Sequence, residues 1–351
     1  MGFGVVSLLN AVFRRAFTSA GLRPSSVAVD ADTTLHFWAH PSLLSSPDAE
    51  SKQQRGRRPV VVLIHGFGPD PTWQWAAQAG PLSKHFDLIV PTLLFFGAST
   101  TRAPGRSDAF QAAAIAQLLA SDSLVGGEGR VVHVVGTSYG GLVAYHLARA
   151  LQQGGGAWTV GKVAVCSSDL AKGPEDDRAL AAKGGVADVT ELMVPADTKA
   201  LRRLMDICAH GPPKYLPECL ARDLLRVRTN SHVTQRPCIR DTYVGNTSIG
   251  KKCFAVQREG KIELIKGIAS GHGFQITPLP QEVLIVWGEF DQIFPVAKAH
   301  KVKEKLGEKA TVRIIPNTGH LPQQEDSKLF NQILLDFLLP PPSSSNGNAA
   351  K

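Results

Sequence analysis

The chain contains 351 residues, of which 43% are hydrophobic and 19% are charged, and its formal net charge is +8. Such a composition is typical of a globular protein with a substantial buried core, and it excludes collagen-like and wholly disordered chains. The basic residues are dispersed, without the aromatic interleaving or zinc-finger spacing of nucleic-acid-binding modules, so nucleic acid is not among the expected partners.

The first 24 residues are predicted to form a separate segment that is apolar and basic. Residues 1–29 contain three arginines and no acidic residue, and their apolar positions can form one face of a helix. We favour a helix that packs on its own domain. The alternatives are an interfacial helix that makes peripheral membrane contact through residues 1–20, and an organelle transit peptide within residues 1–25. No segment of the sequence is long and apolar enough to predict a bilayer span.

A hairpin and a buried strand open the folded part of the chain, which is predicted to begin at residue 25. Residues 27–29 and 34–38 flank an Asp-Ala-Asp turn and predict the hairpin. Residues 41–58 are rich in Ser, Gln and Arg and indicate a surface loop. The apolar run Pro59–Ile64 then predicts a fully buried strand, which ends at a His-Gly-Phe-Gly sequence.

Further apolar runs alternate with helical patterns along the rest of the chain. The predicted strands lie at residues 86–90, 130–135, 162–166, 282–287 and 311–315, and the predicted helices at residues 72–84, 107–119 and 325–337. Continuous apolar strands separated by helices are typical of a parallel sheet that is covered on both faces. The sequence therefore predicts an α/β fold with a mostly parallel sheet.

This alternation breaks once, between about residues 170 and 278. Patterns typical of helices at residues 198–209 and 218–228 are followed by a stretch rich in Gly, Thr and Cys, which we interpret as loops. We expect the insertion to form a cap over the carboxyl edge of the sheet, where open α/β folds bind ligands. The predicted domains are an N-terminal segment (1–24), a core in two parts (25–169 and 279–338), the cap (170–278) and a disordered tail (339–351). The cap residues considered for specificity are Leu204, Met205, Tyr215 and Phe254.

The five cysteines form an odd number and have no CxxC spacing. This pattern argues against a disulfide framework and against a structural zinc site, and it favours a reducing, cytoplasmic compartment. One bridge among the four cysteines at positions 208–253 stays open as an alternative.

The turn after the predicted strand 130–135 carries the strongest chemical signal. Gly136–Gly140 reads Gly-Thr-Ser-Tyr-Gly and is followed by an apolar helical pattern. A serine between a buried strand and a helix is typical of a nucleophile elbow, which presents the serine hydroxyl to substrate. The glycines are expected where a side chain would strike the neighbouring strand or helix. Ser138 is therefore the predicted nucleophile, and an ordinary turn serine is the weaker interpretation.

A serine nucleophile needs a base within hydrogen-bonding distance and an acid that orients the base. In elbow folds the acid and then the base follow the nucleophile along the chain. Asp291 comes directly after the predicted strand 282–287, and His320 follows the last predicted strand in the same way. We predict His320 as the base and Asp291 as the acid, with Glu289 and Asp169 as alternative acids.

The His-Gly-Phe-Gly sequence at residues 65–68 meets a second requirement, which is to stabilise a negatively charged tetrahedral intermediate. Preorganised backbone N–H groups do this, and each changes the rate by roughly 10²–10³-fold. The expected donors are the amides of Phe67 and Tyr139. The alternatives are a plain glycine-rich turn and a phosphate-binding loop, but the latter lacks its Lys-Ser/Thr.

The motifs His-Gly-Phe-Gly, Gly-x-Ser-x-Gly, Trp-Gly-x-x-Asp and Gly-His, in this order, resemble those of the α/β-hydrolase superfamily over roughly residues 25–338. Leu94–Ser99 is similar to the segment after the fourth strand in epoxide-hydrolase-like and C–C-hydrolase-like branches, although Thr92 and Phe96 replace the usual Asp and Gly. Ser138 argues against epoxide hydrolases and haloalkane dehalogenases, which have Asp there. The resemblance implies eight strands, a cap domain and no cofactor, and no metal ligand is predicted.

From these residues we expect a serine hydrolase that cleaves a carboxylic ester, with a small-molecule acyl substrate as its partner. A lipid-like acyl group is an extension based on the N-terminal segment and Phe95–Phe96. One alternative is a receptor for a small hormone-like ligand, because the strigolactone and karrikin receptors share this fold and a triad. Another is C–C cleavage, acyl transfer or hydroxynitrile lysis by the same residues. Fold analogy does not select among these, and protein partners are not predicted.

Overall fold

A computed structural model gives the architecture of the chain and confirms the α/β fold. The residues that it describes are 5–45, 58–124, 129–154, 158–211, 216–229, 248–269 and 275–340. The predicted disordered tail beyond Pro340 and most of the predicted loop at 41–58 lie outside these residues. The first part of that loop, Pro41–Leu43, is a short 3₁₀ helix in which Leu43 is buried.

The described residues form nine strands and twelve α-helices. The strands are β1 (Arg23–Ala28), β2 (Thr33–Ala39), β3 (Val60–Ile64), β4 (Asp87–Pro91), β5 (Thr100–Thr101), β6 (Arg130–Thr137), β7 (Trp158–Cys166), β8 (Val283–Gly288) and β9 (Ala310–Ile315). The helices are α1 (Val5–Ser19), α2 (Pro71–Ser83), α3 (Asp108–Ala120), α4 (Tyr139–Gln153), α5 (Pro174–Gly184), α6 (Val189–Met193), α7 (Thr198–Cys208), α8 (Glu218–Thr229), α9 (Ser248–Ala269), α10 (Ala297–Leu306), α11 (Pro322–Glu325) and α12 (Ser327–Leu338).

The nine strands of the described residues join in one sheet in the order β1-β2-β4-β3-β6-β7-β8-β9, with β5 paired to β2. The strands β1 and β2 form the predicted antiparallel hairpin, and β2 is antiparallel to β4. From β4 to β9 the neighbours in this order are parallel. The resemblance implied eight strands, and the additional β5 is a two-residue pairing against β2. The carboxyl ends of β3, β6, β8 and β9 therefore meet at one edge of the sheet.

Both faces of the sheet are covered, as its apolar strands require. Along β3, Val60, Val62 and Ile64 belong to one hydrophobic cluster, whereas Val61 and Leu63 belong to a second one. The first cluster includes side chains of α3 and α4, and the second includes side chains of α1, α2 and α12. Because every side chain of this strand is fully buried, the alternation fixes its register between the two layers.

Helices α5–α9 lie between β7 and β8 along the chain and have a small core of their own. Leu192, Leu204 and Ile265 are buried in this core. Helices α7 and α8 match the predicted helical patterns, whereas α5 and α6 were not expected from the sequence. The loops at the carboxyl edge of the sheet lie under these helices.

Helix α9 corrects the sequence interpretation, which assigned its residues to loops. The glycines of this segment favoured a loop prediction, because each glycine is about 1 kcal/mol less favourable in a helix than alanine. A Cβ at Gly260 would lie 2.3 Å from the ring of Phe95, and a Cβ at Gly267 would lie 2.2 Å from the carbonyl oxygen of Arg106. The glycines thus let this helix approach the core closely, and the tertiary packing outweighs the local propensity.

Helix α1 packs on the core with one face and exposes the other. Phe17 is fully buried, and the ring of Phe13 lies edge-on to that of Trp73 with 5.0 Å between centroids. This packing is what the favoured interpretation of the N-terminal segment predicts. On the opposite face, Leu8 is 64% exposed and Val12 is 52% exposed. In the part of the chain that the structure describes, no helix has the length and apolar character needed to cross a membrane.

Candidate active site

The turn at Ser138 joins β6 directly to α4. Strand β6 ends at Thr137 and α4 begins at Tyr139, so Ser138 alone makes the turn, with φ +52° and ψ −124°. For a residue with a side chain, a backbone of this kind costs roughly 1–3 kcal/mol and persists only where the surroundings impose it. Serine at the start of a helix commonly caps it, but the Ser138 side chain makes no cap hydrogen bond. Its hydroxyl is therefore available to another partner.

Two glycines make this turn sterically feasible. A Cβ at Gly136 would lie 2.0 Å from the carbonyl oxygen of Gly140, and a Cβ at Gly140 would lie 2.3 Å from that of Ile64. Side chains do not tolerate such distances, so β3, β6 and α4 can meet here only because both residues lack one.

His320 and Asp291 lie beside Ser138 at the carboxyl edge of the sheet. His320 is in the loop after β9, and Asp291 is in the loop after β8. The distance from His320 Nδ1 to Asp291 Oδ2 is 2.9 Å, and the distance from His320 Nε2 to Ser138 Oγ is also 2.9 Å. Because a carboxylate can only accept, Nδ1 carries the proton and Nε2 accepts from the Ser138 hydroxyl. The structure thus brings these three residues into one chain of hydrogen bonds.

Asp291 is fixed in position for this contact. Its Oδ1 accepts from the amides of Ile293 and Phe294, each at 2.9 Å, and its side chain is fully buried. The alternative acid Glu289 is exposed, and its carboxylate accepts from the amide of Asn317 instead.

Asp169, the other alternative acid, belongs to a separate ion-pair network. Its Oδ1 accepts from the amide of Ala171 at 3.0 Å. The Lys298 ammonium lies 2.8 Å from Asp169 Oδ2 and 2.6 Å from Asp176 Oδ2. Burial raises the pKa of Asp169, and the hydrogen bond with Lys298 opposes that rise. No sequence signal singled out Lys298, because it is one of several lysines of α10.

The amides of Phe67 and Tyr139 are unengaged donors beside the turn. Phe67 lies in the loop after β3, and its ring contacts that of Tyr139 with 5.4 Å between centroids. Tyr139 is the first residue of α4, so its amide has no acceptor within the helix. Within the described ranges, neither amide donates to another protein group. Both can therefore donate to an oxygen atom of a substrate.

His65 supports the Phe67 loop and is not a candidate base. Its Nδ1–H donates to the carbonyl oxygen of Gly66 at 2.8 Å, and its Nε2 accepts from the amide of Leu93 at 3.0 Å. Burial lowers the pKa of His65 to about 4, so the ring is neutral near pH 7. The amide of Gly66 in turn donates to Gln74 Oε1 at 2.7 Å, which fixes the loop on α2.

A cavity opens beside Ser138, between the sheet edge and the cap. Much of its wall is apolar, and the cap contributes Leu180, Val189, Met193, Ile265 and Ile268. One part of the wall is polar and consists of Ser168, Asp169, Lys172 and Asp177, where Lys172 is ion-paired with Asp177.

These cap residues differ from those considered from the sequence. Leu204 is buried in the core of the cap, and neither it nor Met205 lines the cavity. Tyr215 and the side chain of Phe254 lie outside the described residues. The cap residues that line the cavity had no sequence signal, because the helices that carry them, α5, α6 and α9, were not predicted.

The described cysteines and acidic groups form no metal centre. Across the described ranges, no group of three or more His, Cys, Asp or Glu side chains is placed to hold a metal ion. Burial raises the pKa of the Cys166 thiol to about 12, so the thiol stays protonated. Neither Cys208 nor Cys219 forms a disulfide within the part of the chain that the structure describes. Cys238 and the side chain of Cys253 lie outside the described residues.

Comparisons of the whole chain with known proteins identify a family and related sequences. A family model described as the alpha/beta hydrolase family matches residues 61–333. The dihydrolipoyllysine-residue acetyltransferase component of the acetoin cleaving system of Cupriavidus necator is 26% identical over 81% of this chain, and the match spans 64% of that protein. The 2-hydroxymuconate semialdehyde hydrolase of Pseudomonas sp. strain CF600 is 25% identical over 79% of this chain and 86% of that protein.

Solved structures share the fold. The crystal structure of a membrane phospholipase A, a bacterial virulence factor, matches with a TM-score of 0.66 at 21% identity, over 95% of this chain and 91% of that one. The family model covers more than half of the chain. The chain belongs to the α/β hydrolase family.

Proposed function

We propose that the chain is a serine hydrolase that cleaves a carboxylic ester through an acyl-enzyme intermediate on Ser138. The observation that carries the proposal is the chain of hydrogen bonds from Asp291 through His320 to the Ser138 hydroxyl, beside the cavity. A serine needs such a base to act as a nucleophile near neutral pH. The strained backbone of Ser138 is a second support, because strain of this kind clusters at functional sites.

In the first step, Ser138 Oγ attacks the carbonyl carbon of the ester while its proton passes to His320 Nε2. The carboxylate of Asp291 stabilises the resulting imidazolium. The carbonyl oxygen becomes an oxyanion that accepts from the amides of Phe67 and Tyr139, in a site where each donor contributes roughly 10²–10³-fold to the rate. The bond to the alcohol oxygen then breaks, and the alcohol leaves with the proton that His320 returns.

In the second step, water replaces the alcohol. It gives a proton to His320 Nε2 as its oxygen attacks the acyl carbon, and the same amides hold the second oxyanion. The bond between the acyl group and Ser138 breaks, and His320 returns its proton to the serine oxygen. The carboxylic acid leaves, and the site regains its starting protonation state.

The test is turnover of p-nitrophenyl butyrate by the purified chain and by Ser138→Ala. We expect the variant to lose roughly 10³–10⁶-fold in kcat, since the nucleophile is removed. Labelling by a fluorophosphonate probe should vanish with it. Ser26→Ala, which changes an exposed serine of β1, is the matched control and should keep both properties. Full activity of a folded Ser138→Ala protein would overturn the proposal.

The cavity wall favours an apolar, uncharged acyl group, and so a lipid-like ester. Among the described lining residues the cationic side chain is Lys172, and Asp177 already neutralises it. A carboxylate on the acyl group would therefore lose its hydration without gaining an unpaired cation. The similarity in fold to a phospholipase A agrees with this preference.

C–C bond cleavage is a second candidate, because a relative that covers 79% of the chain is named as a 2-hydroxymuconate semialdehyde hydrolase. The same Ser138 and His320 would serve that reaction. Its muconate-derived substrate is a carboxylate, which the paired charges of the cavity wall disfavour. Acyl transfer is suggested in the same way by the acetyltransferase relative.

One panel separates these activities. It compares p-nitrophenyl esters of short, intermediate and long acyl chains with a hydroxymuconate semialdehyde and with an ester offered together with an alcohol acceptor. We expect the highest kcat/KM on an uncharged ester of intermediate or long chain. Faster C–C cleavage, or transfer in preference to hydrolysis, would contradict the ester proposal. A ligand that shifts Tm without turnover would instead favour a receptor.

We further propose that the exposed face of α1 contacts an anionic lipid surface, which would bring the site to lipid-like esters. Leu8 and Val12 are one turn apart on this face, and Arg15 lies on the same side and is exposed. Residues 1–29 contain no acidic side chain that would repel such a surface. Each basic residue near an anionic leaflet contributes about 1 kcal/mol.

Co-sedimentation with vesicles tests the membrane proposal. Vesicles with and without phosphatidylserine are mixed with the full chain or with the double variant Leu8→Gln, Val12→Gln. We expect binding to the anionic vesicles only, weakened by salt, and lost in the double variant. Val131→Gln changes another exposed valine, on β6, and should bind like the unmodified chain. Equal binding by the double variant would show that α1 is not the contact.

A further inference from the structure

The loop that carries His320 is held by the cap as well as by the core. The amide of His320 itself donates to the carbonyl oxygen of Cys208, at 2.8 Å. Cys208 is the last residue of α7, so a cap helix ends directly on the backbone of the proposed base. The approach is close: a Cβ at Gly319 would lie 2.8 Å from the amide nitrogen of His210 and 2.9 Å from the carbonyl oxygen of Cys208.

Glu325 joins the same two segments through its carboxylate. Its Oε1 accepts from the amide of Gly319 at 3.0 Å and from that of Leu321 at 3.3 Å, the residues on either side of His320. Its Oε2 accepts from the amide of His210, in the cap, at 2.8 Å. Hydrogen bonds to an ionised acceptor are roughly twice as strong as neutral ones. One carboxylate therefore ties both neighbours of the base to the end of the cap helix.

The same cap segment also reaches the loop of the proposed acid. The ring of His210 stacks on that of Phe290, with 4.2 Å between centroids and 13° between planes. Phe290 directly precedes Asp291, and its amide donates to the carbonyl oxygen of Thr318 at 2.8 Å. Residues 208–210 thus contact the base loop through their backbone and the acid loop through a side chain.

We propose that Glu325 is a positioning residue, which holds His320 within reach of Ser138 only while the cap segment 208–210 is docked. The inference rests on the proposed function and deepens it by assigning part of the site to the cap. If the end of α7 moves away, the His320 amide loses its acceptor and Glu325 loses one of its donors together. A displacement of the base by about 1 Å can cost on the order of 10²-fold in rate. Hydrolysis is then confined to the closed cap.

The kinetic test compares Glu325→Ala and Glu325→Gln with Glu304→Ala, which removes an exposed carboxylate of α10. Glu325→Ala should lower kcat and the rate of fluorophosphonate labelling by roughly 10–100-fold, with KM changed little. Glu325→Gln should recover part of this loss, because its single amide oxygen can hold the base loop or the cap segment but not both. Glu304→Ala should match the unmodified chain.

Hydrogen exchange supplies a readout that does not depend on catalysis. The amides of His210, Gly319 and Leu321 should exchange faster in Glu325→Ala than in Glu304→Ala, because their common acceptor is gone. Gly319→Ala keeps Glu325 but places a methyl group against residues 208–210, and it should likewise speed exchange there and lower kcat.

The possible outcomes distinguish failure of the Glu325 inference from failure of the proposed serine hydrolase function. If the unmodified chain neither reacts with the fluorophosphonate probe nor hydrolyses any ester, the proposed function fails. If hydrogen exchange at His210, Gly319 and Leu321 is then also unchanged in Glu325→Ala, the inference fails as well. If the unmodified chain is active and Glu325→Ala has the kcat of Glu304→Ala, the inference alone fails. The inference would also fail if Glu325→Ala had a lowered Tm but a normal kcat at low temperature, because the loss of activity would then reflect unfolding.

Discussion

At the scale of the residue, Asp291 determines which nitrogen of His320 can act as a base. Because its Oδ2 only accepts, Asp291 selects the tautomer in which Nε2 is free to take the Ser138 proton. A side-chain amide at the same place could donate to Nδ1 and would then select the opposite tautomer. In the proposed mechanism the charge of Asp291 matters as well, since a carboxylate stabilises the imidazolium that forms during attack.

We therefore predict that Asp291→Asn lowers kcat on p-nitrophenyl butyrate by roughly 10²–10⁴-fold, with KM nearly unchanged. Asp169→Asn removes the same kind of group at a neighbouring strand end and should lower kcat far less, because its carboxylate pairs with Lys298. Steady-state kinetics of the two variants measure both changes in kcat. A larger loss in Asp169→Asn than in Asp291→Asn would mean that the acid lies after β7.

The residues of the site differ in how far their positions could be predicted from sequence. The one-residue turn at Ser138 could be predicted, because such a turn between a strand and a helix requires glycines around it. The acid is less well determined, because Asp169, Glu289 and Asp291 all follow strand ends and only the fold selects which one meets His320. Glu325 has no sequence signal, since it binds backbone amides that any residue supplies.

At the scale of the element, glycines within two helices have different meanings. Gly80 lies inside α2, and a Cβ there would meet nothing within 4 Å apart from its neighbours in the chain. Gly260 lies inside α9, where a Cβ would lie 2.3 Å from the ring of Phe95. The first glycine precedes Pro81, whose ring disfavours a Cβ at the preceding helical position, whereas the second allows the cap helix to pack on the core.

The same substitution should therefore change stability by different amounts at the two sites. We predict that Gly80→Ala changes the free energy of unfolding by less than about 0.5 kcal/mol, because the contact of the new Cβ with the ring of Pro81 offsets the gain in helix propensity. Gly260→Ala should lower it by about 1–3 kcal/mol, because the methyl group overpacks the contact with Phe95. Urea denaturation of the two variants measures both changes. Stabilisation by Gly260→Ala would show that α9 does not need this close approach.

The elements could be predicted where burial leaves a local pattern. Strand β3 is apolar at every position because both of its faces are covered, so its five residues suffice to predict it. Helix α9 could not be predicted, because the partners that justify its glycines, Phe95 and Arg106, are distant in sequence. The sequence therefore shows the sheet plainly and the cap only in part.

At the scale of the whole molecule, buried neutral histidines make the fold sensitive to acid. Burial lowers the pKa of His65 and of His133 to about 4. In each ring one nitrogen accepts from a backbone amide, from Leu93 for His65 and from Lys162 for His133, and protonation removes that acceptor. In the unfolded chain histidine titrates near pH 6.5. The stability that these groups contribute is thus complete above pH 6.5 and is lost as the pH falls towards 4.

We predict that between pH 7 and pH 4 the unmodified chain loses more free energy of unfolding than His133→Gln does. The difference should be on the order of 3 kcal/mol, which corresponds to the lowered pKa of one histidine. Urea denaturation at several pH values measures the two slopes. His300→Gln alters an exposed histidine of α10 and should leave the slope as it is. Parallel pH profiles for the unmodified chain and His133→Gln would contradict the prediction.

The position of β7 between β6 and β8 has a consequence for how such a chain can diverge. Strand β7 leads through Ser168 and Asp169, on the cavity wall, straight into the cap, while Ser138, Asp291 and His320 follow other strands. Nine of the fifteen residues that line the cavity therefore lie between residues 167 and 278, a stretch that contains none of the three proposed catalytic residues. Exchange of residues 167–278 with a related chain would replace most of the cavity wall in one recombination event, provided that the incoming segment again presents a carbonyl and an amide to the loop of His320.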